Sequence, residues 1–142
     1  MTNMNMNTHT DHERRQSARH KIRLEVNLVL ADGTLLPVES INISDSGLQV
    51  SCAGWAVNEI EPRGIQTHST SHIKLKAIID LPGLHGTKKL YALCKIISAQ
   101  RLSQEKYHLN LQFTSFENGS EVALDNFLSQ FHQTKIVINA LA

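Results

Sequence analysis

Strict two-residue alternation, repeated in short segments along most of the chain, is the feature that most limits what this sequence can become. Ile22, Leu24, Val26, Leu28 and Leu30 alternate with Arg23, Glu25, Asn27 and Val29, which is the pattern of a strand with one buried face. The Asp32-Gly33 pair that follows is a hairpin signal, and a second strand is expected from Leu35 to Ile43. After the polar stretch Asn42-Ile43-Ser44-Asp45-Ser46-Gly47, alternation resumes at Leu48-Gln49-Val50-Ser51-Cys52. Three more strands are expected: Ile73–Leu81, ended by Pro82-Gly83, then Lys88–Ala99 and Tyr107–Phe113. The period then changes. Leu124, Phe127, Leu128 and Phe131 stand at i, i+3, i+4 and i+7, the stripe of an amphipathic helix, with Asn118 and Glu121 spaced as a capping box. Six strands with hairpin signals and one closing helix predict an all-β antiparallel barrel capped by a C-terminal helix.

Residues 1–13 lack any period and read as a polar arm, and residues 14–133 as the domain. Within it, residues 53–72 read as a long loop with a short helical turn around Trp55–Ile60. Residues 134–142, with Ile136, Val137 and Ile138, are an apolar tail expected to pair as a strand or to meet a partner. At 142 residues the chain can bury roughly 68% of its unfolded surface, so a core alone can hold it. Neither a transmembrane run nor a secretory leader is apparent, so the expected address is the cytoplasm, where Cys52 and Cys94 are reduced, buried thiols.

Enzymatic patterns are weak. The chain has no Gly-rich phosphate loop, no Gly-x-Ser-x-Gly elbow and no Cys-x-x-Cys. His68 and His72 have a metal-compatible spacing only on a helix, and their Ser/Thr-rich context argues against one, so no metal site is expected. Nothing places a base beside Ser44 and Asp45, and no catalytic residue is assigned.

The net charge is only +1, but Arg14, Arg15, Arg19, Lys21 and Arg23 crowd into ten residues, a cluster that favours an anion. Within it Arg15-Gln16-Ser17-Ala18-Arg19 forms an Arg-x-x-x-Arg pair just before the first strand. The turn between the second and third strands is Asn-x-Ser-x-x-Gly: Asn42, Ser44 and Gly47. Guanidinium groups fork onto phosphates or onto the O6/N7 edge of guanine, and their planes stack on bases. Asn42 and Ser44 offer short donors and acceptors, and Gly47 admits a backbone conformation or a close approach that a side chain would block.

Taken in order, a basic arm ending in Arg-x-x-x-Arg, a hairpin, (Asp/Asn)-x-Ser-x-x-Gly, more strands and a closing helix resembles the PilZ family of cyclic di-GMP receptors. The resemblance runs from about Arg14 to Phe131, with Asn42 where many members carry Asp. It implies a six-stranded PilZ-type barrel in which Arg15 and Arg19 hold phosphate and guanine while Asn42, Ser44 and Gly47 line the other side. It also implies outputs in motility, biofilm and exopolysaccharide, relayed to a protein partner by ordering of the arm. The residue before the Arg pair faces the same ligand in this family. Here it is Arg14, a third cation suited to the four phosphates of a stacked nucleotide pair, so two cyclic di-GMP per chain are expected and no other cofactor. Neither nucleic-acid binding nor membrane insertion is expected. A ligand-silent interaction adaptor is the main alternative and a single-strand nucleic-acid binder the lesser one.

Overall fold

The computed structural model describes residues 18–65, 70, 73–83 and 85–141, with side chains as far as Gln130. Alternation yields seven strands: β1 (His20–Lys21), β2 (Glu25–Val29), β3 (Leu35–Ile43), β4 (Gly47–Ala53), β5 (Lys74–Leu81), β6 (Lys88–Arg101) and β7 (Lys106–Phe116). Among the described residues two helices accompany the strands, α1 (Gly54–Ile60) and α2 (Ser120–Leu141). Pairing is antiparallel throughout, in the order β3-β2-β5-β6-β7-β4, and β4 returns to β3. Six strands therefore close a barrel, and closure removes the exposed edges that an open sheet would present. β1 is an addition, paired only with the end of β3 through His20–Ile43 and Lys21–Asn42.

The inward positions are those the alternation marks. Leu24, Val26, Leu28, Leu36, Ile43, Leu48, Val50, Leu75, Ile79, Leu90, Leu109 and Leu111 are buried in one cluster. Each such aliphatic side chain contributes about 1.5–3 kcal/mol on leaving water. Cys52 and Cys94 belong to the same cluster as free thiols. α1 adds Ala56, Val57 and Ile60 to it, and α2 adds Ala123, Leu124 and Phe127, with Leu128 partly buried against it.

The structure departs from the sequence reading at three places. The single strand expected over 22–30 is divided. Buried Ser40 accepts a hydrogen bond from the Leu24 amide at 2.8 Å and donates to the Ile22 carbonyl at 2.6 Å. This hydroxyl adds to the backbone bond from the Ser40 amide to the Leu24 carbonyl at 3.0 Å, beside a bulge in β3 between Ser40 and Asn42. The capping box is absent. Asn118 has φ +47° in the turn Asn118-Gly119, and α2 starts at Ser120, whose hydroxyl accepts the Tyr91 amide at 3.0 Å. Finally, residues 134–141 continue α2 and form no strand. Extending an established helix avoids the nucleation cost that a new element would incur. Around Trp55–Ile60 the expected helical turn is present as α1. His68 and His72, whose spacing is set aside as a metal site, lie outside the described residues, as do Arg14 and Arg15. No described helix is long and apolar enough to cross a membrane.

Candidate functional site: a polar wall beside the β3–β4 turn

The two motifs meet where β1 pairs with the end of β3. Arg19, one residue ahead of β1, is exposed, and its Nη1 donates to Asn42 Oδ1 at 2.9 Å. Asn42 Nδ2 donates in turn to Gln49 Oε1 at 3.0 Å, across the β3–β4 ladder. Both polar ends of the Asn42 amide are thus engaged, its oxygen by a cation and its nitrogen by a second amide. Lys21 stands opposite Asn42 in the β1–β3 pairing and is also exposed, so a second cation borders the same position. Arg19 has four further N–H donors beyond the one spent on Asn42.

Ser44 and Gly47 occupy different positions from those the sequence reading gives them. Ser44 is fully buried. Its amide donates to the Gly47 carbonyl at 2.9 Å, and its hydroxyl accepts the Ser46 amide at 3.2 Å while lying 3.1 Å from the Ser46 hydroxyl. It builds the turn from within. Gly47 does not need a left-handed backbone, since it is not among the residues with positive φ. Its requirement is space. A Cβ there would land on the Leu111 carbonyl oxygen and lie 3.2 Å from the Gln112 Cα, because β7 passes directly against it. The close approach is that of the barrel's own strand. The Phe113 amide, donating to the Ser46 carbonyl at 2.8 Å, clamps the turn onto β7.

Between them lies Asp45, half-buried. One of its carboxylate oxygens is buried and has no hydrogen-bond partner among the described residues. Loss of solvent pushes its carboxyl above the usual carboxylate range, and the Asp125 carboxylate on α2 adds to the shift.

Register extends the wall beyond the motifs. Asn42 faces Gln49, Gln49 faces Asn110, and Asn110 faces Ser98, so one polar row crosses four strands of the outer surface. Asn110 Nδ2 donates to Ser98 Oγ at 2.7 Å within it. Gln49 and Asn110 escaped the sequence reading. Their signal is their phase, outward positions of β4 and β7, which identifies a row only once the strand pairing is known. The surface hollow lined by Glu25, Asn27, Pro37, Glu39 and Ser51 takes in none of the motif residues. Among the described residues no cluster of three metal-ligating side chains occurs.

No curated protein matches this chain in sequence. Solved structures do share its fold. The inhibitor of motility MotI/DgrA of Bacillus subtilis aligns with TM-score 0.62 at 20% identity, over 82% of this chain and 50% of that one. YcgR of Escherichia coli, solved in complex with cyclic di-GMP, aligns with TM-score 0.57 at 13% identity, over 88% and 49%. PlzA of Borreliella burgdorferi, also in complex with cyclic di-GMP, aligns with TM-score 0.52 at 11% identity, over 91% and 57%. The chain thus spans about half the length of these proteins. The family model of the PilZ domain matches residues 13–130, from the basic arm to the middle of α2. With barrel, closing helix and motif order in agreement, the chain belongs to the PilZ domain family.

Proposed function

We propose that this chain is a receptor for cyclic di-GMP that binds the dinucleotide on the wall beside the β3–β4 turn and does not turn it over. The observation that carries this reading is the 2.9 Å bond from Arg19 Nη1 to Asn42 Oδ1, which joins the arm motif to the turn motif. A dinucleotide with two phosphates and two guanines needs cations, planes to stack on and amide edges. Arg19 and Lys21 supply charge, the Arg19 plane supplies a stacking surface, and the Asn42–Gln49 pair supplies amide groups. Two of the structural relatives, YcgR and PlzA, were solved with this ligand. Arg15 is assigned to phosphate and guanine beside Arg19. Ser44 and Gly47 act by building the turn that presents Asn42.

Arg14 is assigned to a second, stacked nucleotide, giving two cyclic di-GMP per chain. Four phosphates crowded together carry about four negative charges, which a third guanidinium helps to offset. Binding would draw Arg14 and Arg15 over the nucleotide and so change the surface offered to a protein partner in the cytoplasm.

Calorimetric titration with cyclic di-GMP, cyclic di-AMP, GTP and a short single-stranded oligonucleotide tests the reading. Saturation by cyclic di-GMP alone, at two equivalents, is the expected result. Saturation at one equivalent removes the stacked pair, preferential binding of the oligonucleotide replaces the function, and silence to all four leaves an interaction adaptor.

A further inference from the structure

The lysines of the β5–β6 hairpin are unequally treated. Lys76 Nζ pairs with Glu117 at 2.8 Å, and Lys89 Nζ pairs with Asp80 at 2.8 Å. Lys74 and Lys95 instead face each other directly across the ladder, both exposed, and neither has an ion-pair partner among the described residues. Like charges directly opposite on a sheet are destabilising. Among the described residues no carboxylate relieves the pair.

The pair's location is as informative as its charge. Lys95 is in register with Gln112, and Gln112 with Gly47 of the motif turn. Strands are spaced by about 4.8 Å, so Lys95 lies roughly 10 Å from the turn and Lys74 about 15 Å, on the same outer wall. Lys95 is flanked along β6 by Leu93 and Ile97, which are 40% and 55% exposed. Ile97 is the extra residue of the bulge between Ile96 and Ser98. Two cations next to aliphatic surface, continuous with an amide row, suit a phosphate whose attached base lies flat on the wall.

We propose that Lys74 and Lys95 form a second anion subsite on the barrel wall, which takes a phosphate of the cyclic dinucleotide farthest from Arg19. The inference rests on the cyclic di-GMP reading above and extends that footprint from β1 across β4 and β7 to β5. The opposed lysines are poised for an anion, since binding relieves a repulsion already present in the free protein and adds two attractions.

The test compares the full chain with Lys74→Gln, Lys95→Gln and the double variant, using Lys88→Gln at the far end of β6 as control. Cyclic di-GMP is titrated at low and at high salt, and thermal melting is followed without ligand. Each single substitution is expected to weaken binding about 3- to 10-fold and the double about 10- to 50-fold, with a shallower salt dependence, the loss expected when a charged contact to an anion is removed. Unliganded melting temperatures should stay level or rise as the repulsion goes, and Lys88→Gln should bind as wild type does. If wild type binds cyclic di-GMP and the double variant binds it equally well with the same salt dependence, this subsite is wrong while the receptor reading stands, and an acidic protein partner becomes the occupant to consider. If wild type binds no cyclic dinucleotide, the receptor reading itself falls, and this extension with it.

Discussion

Replacing Gly47 with alanine adds one methyl group at a position where the backbone conformation is ordinary and the space is already taken. The added Cβ would fall on the Leu111 carbonyl oxygen, 3.1 Å from that residue's carbonyl carbon and 3.2 Å from the Gln112 Cα. All three atoms are backbone, so no rotamer change relieves the overlap, and β4 must move away from β7 by about 1 Å, the amount by which the overlap falls short of ordinary contact. That movement strains the Phe113–Ser46 bond, 2.8 Å long, and loosens Leu48 and Leu111, which are fully buried on the other face. One weakened backbone hydrogen bond costs about 0.5–1.5 kcal/mol and overpacking about 1–3, so Gly47→Ala should lose roughly 2–4 kcal/mol. Gly33 makes an internal comparison. It has φ +89° and nothing within 4 Å of a built Cβ, so Gly33→Ala is a purely conformational change costing about 1–2 kcal/mol. Urea denaturation of both variants decides between the two causes. A Gly47→Ala loss no larger than that of Gly33→Ala would refute the steric argument and return Gly47 to a conformational or ligand-facing role.

Arg19→Ala should cost about 1.5–3 kcal/mol of cyclic di-GMP binding in calorimetry, the value of a hydrogen bond to a charged group, while the urea midpoint barely moves because Arg19 is exposed. Asn42→Leu should lose a similar amount of binding, whereas Asn42→Asp, which keeps an acceptor for Arg19, should stay within a few-fold of wild type. Phe127→Ala, which removes a buried ring of α2 from the core, should destabilise by about 3–5 kcal/mol in the same urea assay. Burial pushes the Cys52 thiol up to about 11 and the Cys94 thiol up to about 12 from 9.0. Because the folded values are the higher ones, this stabilisation is complete below pH 9 and is lost as pH rises through 11–12. A double Cys→Ala variant should therefore show a flatter decline in stability above pH 9 than wild type.

The strand positions were legible because burial in a closed barrel imposes alternation along each strand, which breaks in β3 only at the bulge, where the inward positions pass from Leu36, Val38 and Ser40 to Ile43. β3 matches its expected bounds residue for residue, since an Asp-Gly turn precedes it and a polar turn follows. The break between β1 and β2 was hidden for the same reason. Leu24 and Val26 keep the alternation across it, and only the tertiary contact with the Ser40 hydroxyl shows that the ladder is interrupted. At the start of α2, Asn118 and Glu121 have the spacing of a cap, but Asn118 lies in a left-handed turn one step earlier. The β-branched run 136–138 favours a strand locally, and the helix already packed upstream overrides it. For the candidate site, the motif order brought Arg19 and Asn42 together but could not sort the members of the turn. A side chain in a turn has no parity, so inward Ser44 and outward Asn42 looked alike until the bulge at Ser40–Asn42 was known.

The positions of the turn motif are thus held in two different ways. The backbone around Ser44 and Gly47 is fixed from below, by a buried hydroxyl and by a strand with no room for a methyl group. Asn42 is held instead by side chains, Arg19 on one side and Gln49 on the other. Arg19 needs only an oxygen, which Asn and Asp both present. Gln49 now accepts a hydrogen bond from Asn42 on its own oxygen, and a half-turn of its amide would offer its NH₂ to a carboxylate in the same place. The two residues differ in charge, not in fit. With Asp, the Arg19 guanidinium would be neutralised before any ligand arrives. With Asn42 it keeps its full charge, and no carboxylate belongs to the Asn42–Gln49–Asn110–Ser98 row that continues from it.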